Sequence, residues 1–473
     1  MKKYFKIKYV MIMLLGLFIL LYTTDNMAFA DKNIKAPKSP VNLTVDKITD
    51  TSVTLKWNKP VNSTTIRNYK IYKNSTYIVT SSTTYYTIED LEPDTEYEFY
   101  IRSEDGKNNV SPASEKVTVR TNSGSNNKVI GYYPAWKSYT GYTPDNLDAE
   151  KLTHINYAFA YIGQDNKIKL GYPEKDPENF QKLNNLKNTN PDLKILISVG
   201  GWNWSGQFSD TALTAASRTA FAESCVEFVV EYGIDGVDLD WEYPVGGGLP
   251  TDSKRPEDKQ NFTLLLKEIR EKLDEQELKD NKQYLLTIAG GASNYYLNNI
   301  EPDKIKEYVD YINIMTYDLH GPWDSYTDFN APLYNKNGDS LQYKISVDSS
   351  VNAWVNAGIT KDKLVVGVPF YGYMYQVNKD GNGLMQEFSS GKSLSYSSIK
   401  SNYINYTYKK YYDSESMVPW LYDGDTFISY DDTQSIKAKA EYIKNNDLGG
   451  VMIWELSQDY NNELLNSIYE ILN

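Results

Sequence analysis

From residue 128 onward, eight apolar β-rich runs alternate with stretches of helical periodicity, and this pattern constrains the fold more than any other feature of the chain. The runs are "KVIGYY" (128–133), "HINYAFA" (154–160), "KILISV" (194–199), "IDGVDLDW" (234–241), "YLLTIAG" (284–290), "YINIMTY" (311–317), "KLVVGVPF" (363–370) and "GGVMIW" (449–454). Amphipathic segments such as 215–232 and 261–273 separate most of them. Strands that alternate with helices form parallel sheets through βαβ crossovers. Periodicity alone suits a doubly wound open sheet equally well; the count of eight favours a (β/α)8 TIM barrel, an α/β fold whose site lies at the C-terminal ends of its strands. The interval 371–445 is too long for one crossover and rich in Tyr and Gly, so a small α+β insertion beside the site is expected there.

The chain starts differently. Residues 1–30 carry Lys2, Lys3, Lys6 and Lys8, then an apolar run, then Ala28-Phe29-Ala30, the pattern of a signal peptide cleaved after Ala30. A retained anchor is the alternative, but the run is shorter than the roughly 20 residues a membrane span needs. The mature protein is therefore expected to be secreted, extracellular and free of membrane segments. Removing residues 1–30 moves the formal net charge from −13 to −16. Such an acidic chain repels phosphate backbones and anionic lipid, which argues against nucleic acid or membrane as a partner and leaves a neutral polymer unaffected.

Residues 36–121 read as seven short strands without helical periodicity, for example "SVTLKWN" and "EYEFYIRSED", which implies an antiparallel sandwich. In "LEPDTEYEFY", Leu91, Pro93, Thr95 and Tyr97 fit a tyrosine corner, and Trp57 is available as a core aromatic. This stretch resembles a fibronectin type III domain, with a sugar-binding module and a spacer as its two functional readings; the spacer is favoured because strand packing accounts for its aromatic residues. Residues 122–127 form a polar Gly/Ser/Asn linker, and the catalytic unit is expected to span 128–473.

Few reactive side chains remain for other chemistries. Cys225 is the only cysteine, so no internal disulfide can close, and its helical spacing with Phe221 and Val229 marks a packed core thiol. Two histidines, His154 and His320, do not suffice for a Cys/His zinc site and make a Ser/His/Asp triad implausible.

The fourth run is unusual for a buried strand because Asp235, Asp238, Asp240 and Glu242 stand among apolar residues. Side chains alternate faces along a strand, so Asp238, Asp240 and Glu242 share one face at about 6.5–7 Å intervals. Val237, Leu239 and Trp241 take the other face, which in a barrel meets the helices. Three ionised carboxylates packed together would repel, so at least one is expected to hold a proton near neutral pH, as a general acid must. A calcium loop needs a turn glycine and polar spacers where Leu239 and Trp241 stand. A divalent ion on the three carboxylates is the remaining alternative, and the reading takes no metal and no cofactor.

"DGVDLDWEYP" resembles the D-x-x-D-x-D-x-E signature of the family-18 glycoside hydrolases, the chitinase family. "SVGGW" (198–202) is similar to the family's third-strand motif, "MTYD" (315–318) to its sixth, "VPFYG" (368–372) to its seventh, and Trp454 to its eighth-strand tryptophan. Tyr373 departs from the pattern, since many members carry a basic residue there.

The resemblance implies a secreted chitinase that hydrolyses β-1,4-linked N-acetylglucosamine chains with retention, acting as a monomer on chitin or its oligomers. It implies Glu242 as general acid/base, Asp240 as the group that orients the substrate acetamido, Asp238 as its proton-sharing neighbour, and Tyr317 as donor to the acetamido oxygen. Gly200, Gly201, Trp202, Asn203, Tyr243, Met315, Thr316, Asp318 and Trp454 are the implied substrate-binding set, with Trp454 beneath the cleaved sugar. Trp202, Trp204 and Trp323 are candidates for neighbouring subsites, while Trp136 suits core or cleft equally. The alternatives are an endo-β-N-acetylglucosaminidase acting on N-glycans and a chitin-binding lectin; such lectins usually lack the terminal acid, which Glu242 supplies here.

Overall fold

The computed structural model describes residues 36–48, 51–121 except 62, 64, 90 and 94, and 127–473 except 337–344, 378–380, 405 and 406. The expected signal peptide and most of the expected linker lie outside these residues. Two compact units meet in sequence near residue 124.

The first unit pairs a three-stranded sheet (Val41–Ile48, Val53–Asn58, Tyr85–Ile88) with a four-stranded one (Thr76–Ser81, Ile66–Lys73, Glu96–Asp105, Val117–Arg120). Every ladder is antiparallel. Alternate residues point inward, so Leu55, Trp57, Tyr69, Ile71, Phe99 and Ile101 fill the space between the sheets. The tyrosine corner is formed: the backbone N–H of Glu92 donates to the Tyr97 hydroxyl at 2.8 Å.

The second unit is an eight-stranded parallel barrel. Its strands are Lys128–Pro134, His154–Ile162, Lys194–Gly200, Gly236–Asp240, Leu285–Gly291, Tyr311–Met315, Leu364–Pro369 and Gly450–Trp454. Each pairs with the next, and the eighth returns to the first, which closes the barrel and leaves no unpaired edge. Helices follow the strands and form the outer layer, among them Asp176–Leu186, Ala215–Tyr232, Asp258–Asp280, Val347–Asn356, Thr433–Asn445 and Glu463–Leu472. The first crossover holds short 3-10 turns instead, at Ala135–Thr140, Pro144–Asn146 and Ala149–Lys151.

Between the seventh and eighth strands, Tyr371–Val377, Phe388–Ser395, Lys409–Asp413, Val418–Tyr422 and Thr426–Ser429 make a five-stranded antiparallel sheet with the helix Tyr396–Asn402. Cys225 is fully buried in the layer between barrel and helices.

The faces of the fourth strand divide as the alternation requires. Val237, Leu239 and Trp241 face the helical layer, where the Trp241 ring stacks on Phe208 at 5.2 Å and meets Phe262 edge-on at 5.4 Å. Asp238 and Asp240 point into the barrel. The strand is shorter than the sequence suggests, since Gly236–Asp240 excludes both Asp235 and Glu242. Asp235 precedes the ladder, and Glu242 stands beyond it, where the chain has already turned toward the mouth of the barrel.

Candidate active site

A cleft of about 890 Å³ opens at the C-terminal ends of the barrel strands, and Asp240, Glu242, Tyr317 and Trp454 all line it. The three inward acids occupy three different environments, graded from the barrel interior outward.

Asp238 is fully buried and saturated with donors from four other strands. Tyr132 and Ser198 donate hydroxyls to Oδ2 at 2.7 Å each, Thr287 donates to Oδ1 at 2.6 Å, and the Asn313 amide reaches Oδ1 at 3.4 Å. Burial raises this carboxyl above its ordinary range, and the four donors oppose the rise. Asp240 is nearly as buried, yet its Oδ1 has no hydrogen-bond partner among the described residues. Burial, reinforced by the charges of Glu242 and Asp238, holds it well above the carboxylate range. Glu242 is half-buried at the cleft surface. Burial pushes it up to about 7; the Tyr243 hydroxyl opposes the rise, while Asp318 and Asp252 add to it. The group nearest the cleft is thus poised to exchange a proton near neutrality, as general acid/base work requires.

The backbone of this segment is gripped from the third strand. Gly200 and Gly201 adopt φ of +105° and +72°, and a Cβ on Gly200 would lie 2.3 Å from the Asp240 carbonyl oxygen, so only glycine fits. The Gly201 N–H donates to that same carbonyl at 2.8 Å.

Other expected residues converge on the cleft from separate strands: Gly200, Trp202 and Asn203 after the third, Tyr243 after the fourth, Met315 and Asp318 at the sixth. Among the described residues the Tyr317 hydroxyl has only the Met452 sulfur as a partner, at 3.7 Å. A thioether is a weak acceptor, so the phenol remains available to donate to a bound carbonyl. Burial beside the carboxylates raises Tyr317 well above its ordinary value and keeps that proton in place.

Asp318 takes a left-handed φ of +54°, and its Oδ1 accepts the hydroxyls of Tyr371 at 2.5 Å and Tyr373 at 2.7 Å. Tyr373, the departure from the family pattern, is therefore a partner of Asp318. Trp136, Trp202, Trp204 and Trp323 all reach the cleft; Trp202 and Trp323 are among the most exposed large apolar residues of the chain.

Two expectations need correction. Thr316 is fully buried, its hydroxyl spent on the Gly367 carbonyl at 2.6 Å, because the alternation that turns Met315 and Tyr317 toward the cleft turns Thr316 away. Gly201 lies behind the wall, packed so that a Cβ would touch the Phe159 ring at 2.8 Å. Both belong to the frame of the cleft and do not line it. Asp235 lies away from the site as well, at the N-terminal end of the strand. There its Oδ2 meets Lys187 at 2.5 Å and its Oδ1 meets Lys282 at 3.0 Å.

Phe159, Tyr172, Ser293, Tyr295, Tyr296 and Asn299 also line the cleft, and none was singled out from sequence. Ser293 lies just past the end of the fifth strand, so the strand-end rule for barrels would have found it. Tyr172 comes from the second crossover, and no periodicity marks it.

The family model for glycosyl hydrolases family 18 matches residues 128–459, and that for the fibronectin type III domain matches residues 36–120. Chitinase A1 of Niallia circulans is 43% identical over 403 residues, a match spanning 72% of this chain but only 58% of that enzyme. A family 18 N-acetylglucosaminidase of known structure from Paenibacillus barengoltzii is 42% identical with a TM-score of 0.67, covering 73% of this chain and 99% of that one. Catalytic domain 2 of the Ostrinia furnacalis Group II chitinase, solved in complex with penta-N-acetylchitooctaose, is 31% identical with a TM-score of 0.68, covering 73% and 96%. The order of the strands, the acids on the fourth and these matches agree: the chain is a glycoside hydrolase that belongs to glycosyl hydrolases family 18, with a fibronectin type III domain ahead of its barrel.

Proposed function

We propose that the protein is a secreted chitinase that cleaves β-1,4-linked N-acetylglucosamine polymers with retention, with Glu242 as general acid/base. The observation that carries this reading is the contrast between Asp240 and Glu242. A retaining glycosidase of the usual kind needs an ionised second carboxylate as nucleophile, and family 18 is a known exception to that scheme. Asp240, the other acid of this strand that lines the cleft, is pushed toward its protonated form and has an unpartnered oxygen. Such a group is a poor nucleophile and a good partner for an amide.

In the proposed reaction Glu242 gives its proton to the glycosidic oxygen as the bond from the anomeric carbon to that oxygen breaks. The substrate's own acetamido carbonyl oxygen closes on the anomeric carbon, forming an oxazolinium ion. Asp240 holds the acetamido nitrogen, and Tyr317 donates to its oxygen. The Glu242 carboxylate then takes a proton from water as the water's oxygen attacks the same carbon and reopens the ring. Two displacements leave the configuration unchanged. Met315, Asp318, Tyr243 and the aromatic residues bind the sugars, whose apolar faces suit Trp454 and its neighbours.

Incubating the mature protein with soluble N-acetylglucosamine oligomers and with an N-glycoprotein, alongside Glu242→Gln, tests this directly. Oligomer cleavage to β-anomeric products that Glu242→Gln does not perform is expected, and activity should survive EDTA. Release from the glycoprotein alone would establish the endo-β-N-acetylglucosaminidase reading instead, and binding without cleavage the lectin reading. A second reading, removal of single N-acetylglucosamine units from chain ends, is favoured by the activity named for the Paenibacillus barengoltzii relative. Monomer as the first product from a long oligomer would establish it. Export is tested by sequencing the N-terminus of protein in the medium, which should begin at Asp31.

A further inference from the structure

We propose that Ser205 is a positioning residue for the hydrolysis: it ties together the peptide groups on either side of Trp241, so that Asp240 and Glu242 are presented to the cleft as one unit. The inference rests on the reading of Glu242 as the acid.

Ser205 is 1% exposed and reaches the end of the fourth strand from the turn that follows the third. Its Oγ accepts the backbone N–H of Glu242 at 2.8 Å. The same hydroxyl lies 2.9 Å from the Gly201 carbonyl oxygen and 3.1 Å from the Asp240 carbonyl oxygen, so its single proton serves one or both. The Asp240 carbonyl also accepts the Gly201 N–H at 2.8 Å. One hydroxyl thus bridges the two peptide groups that carry the catalytic pair, at the point where the barrel ladder has ended.

The register shows why a bridge is needed. Gly200 pairs with Asp240 as the last rung between the third and fourth strands, and Glu242 lies two residues beyond it. Among the described residues Asp240 Oδ1 has no partner, and the Glu242 carboxyl is met by the hydroxyl of Tyr243, the next residue, which moves with the same backbone. Their separation is therefore set by the backbone, where the Gly201 N–H holds the Asp240 side and Ser205 joins that side to the Glu242 N–H.

The groups that face Glu242 are Asp240 at the end of the fourth strand, Tyr243 beside it, Asp252 in the next loop, Tyr296 after the fifth strand, and Tyr317 and Asp318 at the sixth. All are acids or phenols. Letting Glu242 swing outward returns it toward water and weakens the repulsion from Asp318 and Asp252, and these outweigh the loss of the Tyr243 hydroxyl, so its proton becomes easier to lose.

The test compares Ser205→Ala and Ser205→Cys with wild type on a soluble N-acetylglucosamine oligomer. Cysteine keeps the volume but is a weak hydrogen-bonding partner, and thermal melts show whether each variant is folded. We expect kcat to fall roughly 10- to 100-fold, KM to stay within about three-fold, and the alkaline limb of the pH–rate profile to move to lower pH. A folded variant with an unmoved limb would reduce Ser205 to a structural residue and overturn the proposal, whatever its kcat. Glu242→Gln in the same assay separates the two failures: if it keeps activity, the acid is misassigned; if it is dead while the Ser205 variants keep the wild-type profile, only this inference fails.

Discussion

Asp235 and Asp240 are five residues apart in one segment, each 5% exposed, and the fold treats them in opposite ways. Asp235, at the N-terminal end of the barrel, is met by Lys187 and Lys282 and by the backbone N–H of Ile195 at 2.8 Å. Burial alone would raise its carboxyl, but these partners outweigh burial and hold it below the ordinary range. Asp240, at the C-terminal end, meets no cation among the described residues, and its neighbours are more carboxyls. One buried acid is compensated and contributes stability; the other is left uncompensated and is available for chemistry. A chain can thus place the same residue type twice in one segment and separate structure from function by partners alone.

The comparison is most easily broken at the cleft. Glu242→Gln removes the transferable proton, and kcat is expected to fall about 10²- to 10⁴-fold, measured on soluble oligomers. Asp240→Asn keeps the shape but removes the carboxyl proposed to hold the acetamido nitrogen, and a loss of about 10²- to 10³-fold is expected, mostly in kcat. If either variant kept wild-type turnover, the uncompensated end would have no catalytic meaning.

At the other end the expected effect is on stability. Asp235→Asn leaves Lys187 and Lys282 without their counter-charge and should cost about 2–4 kcal/mol in denaturant unfolding at pH 7, with turnover of the folded enzyme unchanged. Because the folded carboxyl sits below its unfolded value, its contribution is present above the unfolded pKa and lost as pH falls through the folded one. The cost of Asp235→Asn should therefore fade on acidification below about pH 4.

The smallest effect sharpens the contrast in sign. Glu242 titrates at about 7 in the folded protein, above its unfolded value, so ionising it disfavours the native state as pH rises from about 4.5 through 7. Glu242→Gln should then raise stability by about 1–2 kcal/mol at pH 8 and by little at pH 5, a figure reduced for the solvent that reaches the cleft. Thermal melts at the two pH values check this. An equal shift at both would mean that burial of charge is not the cause.

Much of this division was legible before any coordinates. Period-2 alternation put Asp238, Asp240 and Glu242 on one face and Val237, Leu239 and Trp241 on the other; the barrel keeps Asp238 and Asp240 inward and the apolar three outward, while Glu242 reaches the cleft from beyond the strand. The sequence marked Asp235 as the odd member of the set, because it breaks the spacing. It gave no sign that Lys187 and Lys282, from two other crossovers, would meet it. Thr316 was misread because a motif names neighbours without saying which of them faces inward. The four donors around Asp238 come from the first, third, fifth and sixth strands, and no local pattern links Tyr132, Ser198, Thr287 and Asn313. Ser205 was equally silent, a serine three residues past the third-strand motif whose hydroxyl matters only once the third and fourth strands lie side by side.

What the sequence determined by itself was the count of βα units, the tyrosine-corner sandwich ahead of them, and the acids that share one face of the fourth strand. Each rests on spacing along the chain, which backbone geometry converts directly into facing. What only the tertiary structure decided was which acid is charged. That depends on desolvation and on partners brought from distant strands, and those are properties of the closed barrel that no stretch of the chain holds alone.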